Sequence, residues 1–169
     1  MDIKRDYYLQ KLIAKKHNGL IKVITGMRRC GKSYLLFTLF KKHLLESGVA
    51  EDHIVEIPFD SFESKKYRDP EVLYPYVKEK LVDDQKYYIL LDEVQLLGEF
   101  ESVLNGFMRI PNVDVYVTGD AGIQELNRDM RQVDRPTDVL SYPTVNYPAG
   151  TTAKDNKKRL LREKDPEVI

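Results

Sequence analysis

Tryptophan is absent from this chain, cysteine occurs once, and no purely apolar stretch exceeds the length of a short strand. A single cysteine cannot close an internal disulfide, so the chain suits a reducing compartment. Apolar runs such as Tyr87–Leu91 fall far short of the roughly 20 residues that span a bilayer. The opening MDIKRDYYLQKLIAKK is charged throughout and has no apolar centre of the kind a secretion signal carries. The cytoplasm is the expected location, with no membrane partner. Net charge is missing too, because 27 Lys+Arg balance 27 Asp+Glu. That balance gives no support to a nucleic-acid partner captured by bulk charge. His17, His43 and His53 show no metal-ligand spacing and read as structural or exposed. No GxSxG or comparable nucleophile motif occurs.

What is present describes a folded domain. The chain has 169 residues, 42% hydrophobic and 32% charged, with eleven Tyr and six Phe supplying aromatic packing. A chain of this length can bury roughly two-thirds of the surface that its unfolded form exposes. Hydrophobic spacing predicts a helix over 5–16 and a strand over Leu20–Thr25. A loop over Gly26–Gly31 and a long amphipathic helix over Lys32–Glu46 follow, the helix ended by Ser47-Gly48. His53–Phe59 reads as a strand whose Pro58 belongs at a sheet edge or a strand end. Asp69 and Pro70 read as the cap and first turn of a helix reaching about Leu81. Tyr87–Leu91 is apolar throughout, as befits the centre of a parallel sheet. A helix over Phe100–Arg109 and a strand over Val113–Thr118 complete the alternation. Strands alternating with helices imply βαβ units, hence an α/β fold with helices on both faces of a mainly parallel sheet.

After Gly119 the character changes. Residues 121–135 have weak helical patterning, and 138–147 hold strand-forming residues broken by Pro143. The stretch 149–169 is polar, with a charge run over 154–164 that reads as a solvated tail. The expected division is a core over 1–120 and a divergent, loosely ordered segment over 121–169.

Chemistry concentrates in GMRRCGKS, residues Gly26, Met27, Arg28, Arg29, Cys30, Gly31, Lys32 and Ser33. This is the phosphate-binding pattern G-x-x-x-x-G-K-[ST], set between a strand and a helix as its function requires. Its glycines let the backbone turn so that several N–H groups point inward, and the next helix adds its positive end. Lys32 supplies an ammonium for the β- and γ-phosphates, and Ser33 a hydroxyl ligand for Mg²⁺. The whole loop, with Tyr34 after it, is the expected nucleotide-binding segment. Arg28 and Arg29 read as phosphate or partner contacts, against the plainer reading of a solvated loop tip. Cys30 reads as a small residue fitting a tight turn.

A second signal is YYILLDEVQ, an apolar strand that delivers Asp92 and Glu93 at its carboxyl end. Ligands bind beyond the carboxyl ends of strands in open parallel sheets. Asp92 is the expected Mg²⁺ ligand, and Glu93 the residue that polarises water for attack on the γ-phosphate. Thr118, ending the VDVYVT strand, is the expected polar sensor near that phosphate.

Taken together, IKVITGMRRCGKSYLL, YYILLDEVQ and VYVTG resemble a widespread group of prokaryotic AAA-type ATPases, which usually carry a nuclease-like C-terminal domain of unknown function. The leading RDYYLQKL resembles the lead-in helix of that family. The resemblance covers Asp2 to Gly119. It implies a P-loop three-layer sandwich with sheet order 5-1-4-3-2, Walker A at Gly26–Ser33, Walker B at Asp92, and Glu93 as the catalytic acid. It also implies a sensor near Thr118, and ATP hydrolysis with Mg²⁺. DAGIQELNRDMRQVDRPTDVLSYPTVNYP does not follow the family pattern, so the chain reads as a truncated member. Arg128, Arg131 and Arg135 are arginine-finger candidates by position only. The expected function is Mg-dependent ATP binding with weak hydrolysis. The alternatives are an ATP-gated interaction module, a small-molecule kinase, and a nucleic-acid-binding ATPase. A protein partner or a second copy of the chain stays open.

Overall fold

The computed structural model describes residues 5–26, 29–119 and 137–141, the last as backbone. Helix α1 (Arg5–Ala14) leads into strand β1 (Ile21–Thr25). A continuous helix follows the phosphate loop. It opens as α2 (Lys32–Tyr34), widens into a π-helical stretch over Leu35–Phe40, and closes as α3 (Lys41–Glu46). Then come β2 (Ile54–Pro58), α4 (Pro70–Lys80), β3 (Tyr87–Asp92), α5 (Phe100–Met108), β4 (Val113–Thr118) and β5 (Thr137–Ser141).

All pairings in the sheet are parallel, and its order is β2-β3-β4-β1-β5. Read from the other edge this is 5-1-4-3-2, the order that the resemblance implies. Every residue of β1, β3 and β4 is buried, which explains the apolar run YYILL of β3; β1 and β4 each bury one charged residue, Lys22 and Asp114. Pro58 meets both sequence expectations, ending a strand that lies at the sheet edge.

Side chains alternate across the sheet into two cores. On one face Val23, Ile57, Ile89, Leu91, Val115 and Val117 pack with Leu73 and Val77 of α4 and with Leu104 and Phe107 of α5. On the other, Ile24, Tyr88, Leu90 and Tyr116 pack with Leu12 of α1 and with Leu36, Phe40 and Leu44 of the phosphate-loop helix. These two cores make the three-layer sandwich. Each fully buried aliphatic or Phe side chain contributes roughly 1.5–3 kcal/mol.

Local chemistry explains the element ends. Asp69 caps α4 by accepting the Glu71 N–H at 2.9 Å, with Pro70 in the first turn. The π-helical stretch was not foreseen. Leu36, Phe40 and Leu44 recur every four residues, whereas an α-helix turns every 3.6, so the row drifts off the sheet-facing side. A wider turn corrects the drift: the Lys41 N–H reaches back to the Leu36 carbonyl.

Strand β5 lies beyond residue 120 and pairs with β1 from Ile21–Thr137 to Thr25–Ser141. The sheet therefore draws on the segment that sequence reading sets apart as divergent. The weak helical patterning over 121–135 and the tail from 142 onward lie outside the described residues.

Candidate functional site

The site is assembled at the carboxyl ends of three adjacent strands. In the parallel register Ile24 pairs with Thr118, and Leu91 with Val117. One residue further, Asp92 lies beside Thr118, with the phosphate loop leaving β1 on the other side of β4. The sheet thus gathers loop, acidic pair and threonine from distant parts of the sequence.

The loop backbone takes conformations that a Cβ resists. Gly26 has φ 152° and Gly31 φ 94° with ψ 24°. These are the two glycines that the phosphate-binding pattern fixes, and both need the freedom that glycine alone has. Arg29 also lies in the left-handed region, at φ 62°, with its side chain exposed. Cys30 is half-buried against the α1 side of the sheet. Met27 and Arg28 lie outside the described residues, as do Arg128, Arg131 and Arg135.

Lys32 is only 4% exposed, and its Nζ donates to the Gly26 carbonyl at 3.1 Å. The ammonium is thus folded over the loop it follows. Ser33 is exposed in the first turn of the helix. Tyr34 is 45% exposed on the same turn.

Asp92 is 3% exposed at the end of β3. The fully buried Thr118 hydroxyl donates to Asp92 Oδ1 and accepts the Glu93 N–H at 3.1 Å. One side chain therefore holds the Asp92 carboxylate and the Glu93 backbone. Glu93 itself sits at φ 58° and ψ 51°, a left-handed conformation that costs a non-glycine residue roughly 1–2 kcal/mol. The Leu96 N–H closes the following turn onto the Glu93 carbonyl at 3.0 Å. Strained backbone at this point turns the chain sharply after the strand and redirects the Glu93 side chain from the sheet.

The acid-bearing turn is fastened from outside as well. The Phe59 N–H donates to the Asp92 carbonyl at 3.1 Å, and Arg68 Nε donates to the Phe59 carbonyl at 2.7 Å. The Gly98 N–H then donates to the Arg68 carbonyl at 2.9 Å.

Two groups of residues escaped sequence reading. Gln95 donates from Nε2 to Glu93 Oε2 at 2.5 Å, and its Oε1 is buried. Its only signal was its place two residues after Glu93. The second group is a buried polar network at the opposite, amino ends of the strands. Asp114 is ion-paired with Lys22, accepts from Tyr116 Oη at 2.9 Å and accepts the His17 N–H at 3.0 Å. His17 Nε2 and Tyr88 Oη share a hydrogen bond of 2.6 Å. Burial, and then the Asp114 charge, push the Tyr116 phenol far above its ordinary pKa. Lys22 and Asp114 are single charges inside apolar strands, and nothing in a linear sequence reveals that they pair.

The donor set suits Mg²⁺ with a nucleotide polyphosphate. A hydroxyl and a buried carboxylate are hard oxygen ligands of the kind Mg²⁺ prefers, and the glycine-turned loop keeps Cβ atoms away from an approaching phosphate. Among the described residues no cluster of three or more His, Cys, Asp or Glu is arranged as a metal cage. No helix among the described residues is long and apolar enough to cross a membrane.

Comparison with known proteins bears on identity. The family model described as AAA domain matches residues 18–143. The match runs past Gly119, where the sequence resemblance stops, and takes in β5. An uncharacterized protein of Haemophilus influenzae is 36% identical over 118 residues, covering 69% of this chain. The chain spans only 29% of that relative's length. Shorter matches link the chain to proteins named endoribonuclease YbeY. The Agathobacter rectalis protein is 49% identical over 35 residues, which is 21% of each chain. The Aquifex aeolicus protein is 36% identical over 63 residues, covering 37% of this chain and 41% of the enzyme. Among solved structures, Caenorhabditis elegans PCH-2 superposes with TM-score 0.52 at 16% identity, covering 83% of this chain and 42% of that one. The Pif1 helicase of Candida albicans gives TM-score 0.52 at 12% identity, covering 85% and 40%. At such identities the structural likeness speaks for the fold alone. The family match spans most of the chain and agrees with the sheet order and the phosphate loop, so the chain belongs to the AAA domain family and is a nucleotide-binding P-loop domain of AAA type.

Proposed function

We propose that this chain binds ATP with Mg²⁺ and hydrolyses it slowly to ADP and phosphate. The observation that carries the reading is the single hydroxyl of Thr118, which ties Asp92 and Glu93 together beside the phosphate loop. A strand-end acidic pair that served only to face solvent would need no such buried tie.

In this reading the loop N–H groups between Gly26 and Ser33 bind the phosphates, and Lys32 exchanges the Gly26 carbonyl for phosphate oxygens. Ser33 Oγ and Asp92 hold Mg²⁺, which when bound neutralises phosphate charge. Glu93 accepts a proton from the attacking water. Thr118 keeps the two acids in fixed relation. Little covalent chemistry is asked of the protein, and positioning with charge neutralisation supplies the rate. The stretch shared with the endoribonucleases covers 21% and 41% of the two enzymes named above, and RNA cleavage is not part of the proposal.

The test is ATP binding and turnover by the purified chain with Mg²⁺. Lys32→Ala should abolish tight ATP binding. Glu93→Gln should keep binding and reduce turnover by about a hundredfold or more. Binding without turnover in the wild type would replace hydrolysis with the switch reading, and wild-type turnover by Glu93→Gln would remove Glu93 from the mechanism.

A further inference from the structure

Gln95 lies two residues beyond Glu93, in the short helical turn Val94–Leu96 that follows β3. Its Nε2 donates to Glu93 Oε2 at 2.5 Å. The opposite amide orientation would set a carbonyl oxygen against a carboxylate, and neither could donate, so the assignment of Nε2 and Oε1 is fixed by chemistry. Gln95 Oε1 is buried and has no hydrogen-bond partner among the described residues. Leaving a carbonyl oxygen buried and unpaired costs roughly 1–3 kcal/mol, so such an atom calls for an explanation.

We propose that Gln95 is a positioning residue for hydrolysis: it aims the Glu93 carboxylate through Nε2, and the unpaired Oε1 is the cost of holding the amide in that place. The proposal rests on the hydrolytic reading above. Held by Nε2 through one oxygen, the Glu93 carboxylate turns its other oxygen to a proton of the attacking water, which leaves an oxygen lone pair to face the γ-phosphorus. As the water oxygen bonds to phosphorus, the bond from phosphorus to the β–γ bridging oxygen breaks and ADP keeps that electron pair. Glu93 takes the first proton. The second stays on the product phosphate. The left-handed backbone at Glu93 contributes directly, because it folds the chain back so that residues 93 and 95 present their side chains to each other.

The alternative is that Gln95 merely braces the turn. The two roles separate in kinetics. Gln95→Met keeps the length and removes both polar atoms. ATP affinity, read with a fluorescent ATP analogue and Mg²⁺, should stay within about twofold, while kcat falls about tenfold or more. In a Glu93→Gln background the same change should cost less than about threefold, because Gln95 acts through Glu93. A brace would lower affinity and stability in both backgrounds alike. If Gln95→Met fails to bind ATP, Gln95→Glu decides, since it preserves shape and Oε1 but sets a second carboxylate against Glu93; retained binding with lost turnover supports the proposal. Unchanged kcat in Gln95→Met, in Gln95→Glu, or full additivity with Glu93→Gln overturns it and leaves the hydrolytic reading standing. A wild-type chain that binds ATP without turnover overturns both.

Discussion

Replacing Thr118 by valine removes one oxygen atom and keeps the side chain's shape. That oxygen makes two buried contacts, donating to Asp92 Oδ1 and accepting the Glu93 N–H at 3.1 Å. A hydrogen bond to a charged acceptor contributes roughly 1.5–3 kcal/mol, and a buried N–H left unpaired costs about 1–3 kcal/mol. The two losses share one site and partial relaxation will recover some of each, so the expected destabilisation is about 2–4 kcal/mol. Total stability for a domain is typically about 5–15 kcal/mol, which makes this a large fraction. Thr118→Ser is the control: it keeps the hydroxyl and deletes a methyl from a fully buried position, at about 1 kcal/mol. Urea unfolding followed by circular dichroism reads the difference. With a slope of about 1–3 kcal/mol/M, the valine variant should unfold at a midpoint lower by roughly 0.7–4 M, and the serine variant much closer to wild type. Equal midpoints for the valine and serine variants would show that the hydroxyl holds nothing, and the account of Asp92 and Glu93 as a tied pair would fall with it.

Three further outcomes can be checked on the same chain. Lys22→Met leaves Asp114 without its ion-pair partner between buried strands, and urea unfolding should show a loss of about 3–5 kcal/mol, with a smaller loss once Asp114→Asn is added. Burial lowers the pKa of His17 and of His43, the latter helped by the neighbouring Lys16 ammonium, so the unfolded chain binds protons more readily than the folded one; stability is fully present above the unfolded value near 6.5 and falls as pH drops through it. A His17→Asn, His43→Gln chain should therefore lose less stability than wild type between about pH 7 and 5, and identical pH curves would contradict the assignment. Asp69→Ala removes the cap of α4 and should cost about 1 kcal/mol in thermal or urea unfolding, with no change in ATP binding.

The legible parts of the fold were those with local causes. A continuous apolar run marked β3, the β-branched residues of VDVYVT marked β4, Asp69-Pro70 marked the start of α4, and the glycine spacing marked the phosphate loop. The acidic pair was legible because a strand ending in Asp-Glu sits at a predictable end of a parallel sheet. What stayed hidden depends on pairing across the sheet. Gln95 gains meaning only when Glu93 adopts a left-handed backbone, and Thr118 holds both acids only because β4 lies between β1 and β3. The Lys22–Asp114 pair joins residues distant in sequence inside strands that composition marks as apolar. Strand β5 was obscured by prolines and charges around it, and its own TDVLS holds only two apolar residues, side by side and without alternation.

The position of β5 also governs how this domain tolerates shortening. Among the described residues β5 pairs with β1 alone, the strand that delivers the phosphate loop. Ending the chain before Thr137 would bare the backbone donors and acceptors along one side of IKVIT, a β-branched segment buried along its whole length. An uncovered strand of that composition is a template for pairing with other chains. The shortened protein would then self-associate along the very strand that carries its phosphate-binding turn. Loss of solubility and loss of nucleotide affinity would arrive together, as one defect with two readouts.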